Sequence, residues 1–171
     1  VFSTKVHQQM WHEWITRAYH GGLRTMVALC VNSQLLGHVA KGDLAERDKE
    51  VGDMQIDALK EFVARHKDIM EIALDPQQLR AIVRSNKLAI IIGSELDDIG
   101  NFAFDPTVSA HEPTDASKLK VNAELDRLYA KGLRYIFPAH LIDSKFGGTA
   151  IAGDMLNMAN KYVNDEAFEV E

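Results

Sequence analysis

The sequence predicts an α/β protein built from parallel β/α units. Three observations carry that expectation. Apolar runs at 24–31, 88–93 and 133–137 are short and rich in aliphatic and aromatic residues, as strands covered on both faces are. The segments between them carry apolar residues at helical spacing and recognisable helix ends. The two kinds of segment alternate along the chain, which is the order of a parallel sheet crossed by helices.

Each element has its own signals. Trp11, Trp14, Ile15 and Ala18 recur at helical spacing, and Gly21-Gly22 ends that helix. The first strand, 24–31, has no polar alternation after Met26 and is followed by Asn32-Ser33, a turn or helix-capping pair. A short helical piece is expected at 34–40 and a solvated, charged connection at 41–49. A long helix follows, with Ile56, Leu59, Phe62 and Val63 inward and Asp57, Lys60, Glu61 and Arg65 outward. Asp75 is an N-cap with Pro76 at the first helical position, Leu79, Ile82 and Val83 form the apolar face, and Asn86 is the C-cap. The second strand, 88–93, is stopped by Gly93. The polar segment 94–117 is long for a plain connection, as functional or mobile loops are. Ser117 is expected to cap a helix with Val121, Leu125, Leu128 and Tyr129 on one face, ended by Lys131-Gly132. The third strand, 133–137, stops at Pro138. A turn at Gly147-Gly148 leads into a last helix at 151–162.

Composition bounds the function. The chain has 171 residues, 46% hydrophobic and 26% charged, which suits one globular unit and excludes collagen, low-complexity disorder and a disulfide miniprotein. Its formal net charge of −6 argues against nucleic acid as a partner, since phosphate contacts need clustered Lys and Arg. Cys30 is the single cysteine, so no internal disulfide forms. The longest apolar runs are far too short to span a bilayer.

Ligands of parallel β/α folds meet the carboxyl ends of the strands. Asn32 and Ser33 follow the first strand, Ser94, Glu95, Asp97 and Asp98 the second, and His140 and Asp143 the third. Carboxylates and imidazole suit divalent metals or acid–base work. The plain alternatives are a loop-exposed glutamate for Glu95, a buried hydrogen-bonded histidine for His140, and a helix-dipole role for the acidic group. His66 and Asp68 have metal-ligand spacing but fall near a helix end with no strand before them. The chain has no His-Glu-x-x-His, no phosphate-binding Gly-x-x-x-x-Gly-Lys and no Gly-x-Ser-x-Gly motif.

The stretch Leu88-Ala-Ile-Ile-Ile-Gly-Ser-Glu95, then Leu125-Asp-Arg-Leu-Tyr-Ala-Lys-Gly-Leu-Arg-Tyr135, then His140, resembles the renal-type membrane dipeptidases. The upstream helix carrying Asp75-Pro-Gln-Gln-Leu-Arg80 falls in the matching order. The resemblance spans about residues 8 to 150 and is densest from 88 to 140. It implies metal-dependent, amidohydrolase-like hydrolases on a TIM-type (β/α)8 barrel, with two divalent metal ions, zinc in the family, at the carboxyl mouth. It places Glu95 as the metal-bridging carboxylate and His140 as a substrate-binding residue. The substrate class it implies is a small peptide or related amide, and family members are often exported or periplasmic.

The family's other ligands are a His-x-Asp pair on the first strand, two later histidines and a late aspartate, and none is found here. A barrel of this kind needs about 250 residues. Residues 1–171 therefore read as a single segment, an incomplete portion of a larger hydrolase, inactive by itself. Departures stand at the site: Glu95-Leu96-Asp97 replaces the family's Glu-Gly-Gly, and Pro138-Ala139-His140 its Leu-Thr-His. With Trp11 and Trp14 these motivate the alternative, a catalytically inactive binding or structural domain derived from the barrel. A homo-oligomer is one way to cover the strand edges that a partial barrel leaves open.

Overall fold

A computed structural model describes residues 12–34, 47–109, 112–148 and 153–165. Its elements are α1 (His12–His20), β1 (Thr25–Asn32), α2 (Asp48–Arg65), β2 (Met70–Ile72), α3 (Pro76–Arg84), β3 (Leu88–Leu96), a 3-10 segment (Ile99–Phe104), α4 (Asp115–Ala130), β4 (Leu133–Phe137) and α5 (Asp154–Asn164). Trp11, the helical piece expected at 34–40 (beyond Gln34) and most of the connection at 41–49 lie outside the described residues.

The sheet is parallel throughout and centred on β3. β1 runs along one edge of β3, from Thr25 opposite Ala89 to Asn32 opposite Leu96. The other edge is shared: β2 pairs with Leu88–Ile90 and β4 with Ile92–Glu95. The backbone bonds follow the alternation of a strand. Leu88 N–H donates to Ile69 and Ala73 N–H to Ile90 on the β2 side, whereas Ala89 N–H donates to Arg24 on the β1 side. This is a mixed α/β protein with a parallel sheet; among the described residues the strands do not close into a barrel.

Alternation along β3 decides the core. Leu88, Ile90 and Ile92 face α2 and pack with its Ile56 and Val63, and with Met70 and Cys30. Each such side chain contributes about 1.5–3 kcal/mol through its removal from water. Ala89, on the alternate face, packs with Ala73 and with Ile82 of α3 at the amino ends of the strands. Further along that face Gly93 leaves room for its neighbours: a Cβ there would stand 2.7 Å from Leu29 Cδ2 and 3.1 Å from Tyr135 Cδ1.

The strand at 24–31 was expected to be covered on both faces, and it is not. Val27 is 41% and Leu29 40% exposed, with Tyr135 and Phe137 of β4 also exposed. Helix α2 covers only the Met26–Ala28–Cys30 side, so β1 alternates in burial although its sequence does not. At the edge of β1 away from β3, the Gln55 amide mimics a neighbouring strand. It accepts from Val31 N–H at 2.9 Å and donates to Val31 C=O at 2.7 Å. Trp14, one of the residues at helical spacing in α1, is 49% exposed, while Ile15 and Tyr19 of that helix reach the core.

Caps follow their chemistry. Asp75 accepts the Gln78 N–H at 2.7 Å with Pro76 beside it. Asn86 stands one position past the C-cap, Ser85, at φ 61°, and the bonds Asn86 N–H to Val83 and Lys87 N–H to Ile82 close the helix in a Schellman arrangement. The N-cap of α4 is Thr114 rather than Ser117: Thr114 Oγ1 accepts the Ser117 N–H at 3.1 Å, and the helix begins three residues earlier than expected. Helices α2 and α4 are tied by Arg127, which holds Asp53 at 2.8 Å and Glu124 at 2.6 Å, with Lys49 3.0 Å from Glu124. No helix among the described residues is long and apolar enough to cross a membrane.

Candidate functional site

The carboxyl ends of β1, β3 and β4 converge because β3 is flanked there by both neighbours. Glu95 is opposite Val31 on one side and Phe137 on the other. The second strand was expected to end at Gly93. It runs on to Leu96, so Glu95 projects from a strand held by ladders on both edges, not from a loop. Its side chain is 27% exposed.

Beyond β3 the chain turns inward. The segment 94–117 was expected as an open polar loop, but Ile99, Phe102 and Val108 are buried in it, and so are Asp97 and Asp98. The acidic group therefore divides: Glu95 is accessible, while Asp97 is 0% exposed. His140, three residues past β4, reaches this cluster with a side chain 17% exposed. Its Nε2 lies 3.6 Å from Glu95 Oε1 and its Nδ1 3.3 Å from Asp97 Oδ1. The second contact is an electrostatic approach, too poorly aligned for a hydrogen bond. Asp97 Oδ1 also accepts the Leu141 N–H at 2.9 Å, which ties the segment after β4 to the segment after β3.

The charges set the state of the imidazole. The Asp97 carboxylate beside Nδ1 raises the His140 pKa above its ordinary value. Burial opposes this, and the Glu95 charge and the Asn32 main chain add to the rise. The charged imidazole is thus favoured more than in a free histidine, with Nε2 directed at Glu95.

A second buried carboxylate lies behind the cluster. Asp48, in the first turn of α2, accepts from Asn32 Nδ2 at 2.6 Å and from the Asp98 N–H. Burial pushes its pKa up to about 7 against those two hydrogen bonds. Asp98 is also raised by burial, to about 6, while its carboxylate accepts the Ala103 N–H. Asp48 thus braces the end of β1 through Asn32 and the end of β3 through Asp98. Sequence reasoning placed residue 48 in a solvated connection; an aspartate near a helix start is ordinary, and nothing local marks this one as buried.

The other residues at strand ends separate from the site. Asn32 serves Asp48, and Ser33 is buried. Ser94 Oγ is buried with no hydrogen-bond partner among the described residues. Asp143 turns to α5, its N–H donating to Asn160 Oδ1 at 2.8 Å and its carboxylate 3.3 Å from Asn160 Nδ2. His66 stacks on His12 and meets Phe62 in a tilted ring contact. A groove of about 510 Å3, lined by Ile15, Met26, Leu29, Leu59 and Phe62 among others, lies between α2 and β1, away from Glu95.

For a dinuclear metal centre the fit is partial. Glu95 has the position, the accessibility and the two oxygens that a bridging carboxylate needs. His140 stands beside it with both ring nitrogens turned to carboxylates. Among the described residues no group of three or more His, Cys, Asp or Glu side chains is arranged to hold a metal ion. No protein-family model matches the chain, and no curated protein matches it.

Proposed function

We propose that this chain is a portion of a metal-dependent hydrolase that resembles the membrane dipeptidases and cleaves a peptide or related amide bond. The observation that carries the reading is the meeting of Glu95 and His140, 3.6 Å apart, at the carboxyl ends of adjacent parallel strands, where β/α folds place their chemistry. Two divalent ions, zinc by the resemblance, would supply an activated water and polarise the scissile carbonyl. Glu95 would be a carboxylate ligand that holds them. His140 would donate from a protonated Nε2 to a substrate oxygen that becomes more negative as the carbonyl is attacked. The remaining metal ligands, the closed (β/α)8 barrel and an exported or periplasmic location belong to this same proposal.

The test is zinc content and dipeptide hydrolysis of the purified protein in its native length, beside Glu95→Gln. The proposal expects bound zinc and turnover in the native protein and loss of both in the variant. Turnover that survives Glu95→Gln refutes it.

The exposed apolar face of Val27, Leu29, Tyr135 and Phe137 favours a second reading, a binding or structural domain without catalysis. A native protein that takes up no zinc and hydrolyses no dipeptide decides for that reading.

A further inference from the structure

Asp97 takes no part in the chemistry proposed for Glu95 and His140, yet its surroundings are unusual. It is wholly buried, and its Oδ2 has no hydrogen-bond partner among the described residues. His140 Nδ1 is likewise buried without one. A buried polar atom left unpaired is destabilising, because it has given up its water without a replacement. Here two such atoms belong to neighbouring groups of complementary chemistry, a carboxylate and an imidazole, already 3.3 Å apart at their closest atoms. Hydrogen bonds of working sites are often long or bent in the free protein and tighten when a ligand arrives.

The backbone holds this pair in place. Asp97 follows Glu95 by two residues, and its Oδ1 is anchored by the Leu141 N–H, next in sequence to His140. The carboxylate therefore cannot leave the ring without releasing the segment after β4. On the far side of the ring Nε2 faces Glu95. The Asn32 main chain adds to the charge-favouring surroundings of this imidazole.

We propose that Asp97 is a positioning residue for His140: it takes the Nδ1–H and fixes the ring so that Nε2 is the atom presented beside Glu95. Which nitrogen of a histidine works is set by the partner of the other. The proposal rests on reading the Glu95 region as a ligand site, and it assigns that site's second nitrogen.

The test is the tautomer of neutral His140, read by 15N-edited NMR on the uniformly labelled, metal-free protein, native and Asp97→Asn. The native protein should hold the Nδ1–H form in about tenfold excess or more, as a charge-assisted hydrogen bond implies. Asp97→Asn should reduce that excess about tenfold. Should that variant fail to fold, Asp97→Glu, which keeps the charge and moves it by one methylene, provides the comparison and should also lower the excess. A native Nε2–H form, or an Nδ1–H form indifferent to either substitution, overturns the assignment. The readout needs no zinc and no substrate. The hydrolase reading can therefore fail on Glu95→Gln while Asp97 stands, and Asp97 can fail while that reading stands.

Discussion

Replacing Asp48 by Asn should change how stability depends on pH. Asp48 is 1% exposed, and burial raises its pKa from 3.8 to about 7. A shift of about 3 units corresponds to about 4 kcal/mol. The sign follows from proton counting. Between about pH 4 and pH 7 the folded protein holds the Asp48 proton that the unfolded chain has released, so stability falls as pH rises, by about 1.4 kcal/mol per unit. Above pH 7 the folded state carries a buried carboxylate and the full loss is in place. The amide in Asp48→Asn cannot ionise. It can accept from Asn32 or from the Asp98 N–H but presents its NH2 group to the other donor, at a cost of about 1–2 kcal/mol. The variant should therefore be less stable than the native protein near pH 4 and more stable, by about 2–3 kcal/mol, near pH 8. Asp98, raised to about 6, and His140, raised by Asp97, also lose stability with rising pH. Both remain in the variant, so the difference reports Asp48 together with its charge coupling to Asp97 and Asp98. Urea denaturation across this range provides the measurement. Two parallel curves, with no crossing, would refute the reasoning.

Three further outcomes follow from packing, capping and charge. Ile92→Ala opens a cavity where β3 meets Ile56 and Leu128 and should cost about 2–5 kcal/mol in chemical denaturation; a loss under about 1 kcal/mol contradicts this packing. Asp75→Ala removes the acceptor for the Gln78 N–H and should cost about 1 kcal/mol, with Asp75→Asn restoring most of it in the same assay. Arg127→Met should weaken the acid side of the stability profile. Burial acts to raise the Glu124 pKa, but Arg127 and Lys49 outweigh it and hold that carboxyl below its ordinary value. Its contribution is present above the unfolded-state pKa and is lost as pH falls through the lowered one. The variant should show a smaller drop in melting temperature on acidification, and an unchanged drop counts against the pair.

Local chemistry made much of the fold legible. Pro76 after Asp75, Asn86 past a helix end, and Gly21-Gly22 each mark a boundary through backbone preferences that act within a few residues. Strands β1, β3 and β4 were readable because buried strands are short apolar runs. Strand β2 was not: Met70–Ile72 is three residues long and carries Glu71, and it is a strand only because β3 lies beside it. The ends were less legible for the same reason. β3 continues through Ser94, Glu95 and Leu96 because β1 continues to pair with it, whereas the sequence turns polar at Ser94.

The site divides in the same way. Glu95 and His140 were readable from their positions after apolar runs, since a strand end is a local feature. The roles of Asp97 and Asp48 were not, because Glu95, Asp97 and Asp98 are alike in chemistry, and only the inward turn of the chain makes one accessible and two buried. By itself the sequence determined the element types, the alternation that makes the strands parallel, and which strand ends carry ionisable side chains. These depend on periodicity, backbone preference and order along the chain. Tertiary structure decided which face of β1 is covered, how far β3 extends, and which carboxylates meet the imidazole. Those depend on groups 40 or more residues apart in the chain, such as Asp97 with Leu141 and Asp48 with Asp98, whose energies are set by burial and distance once the sheet has formed.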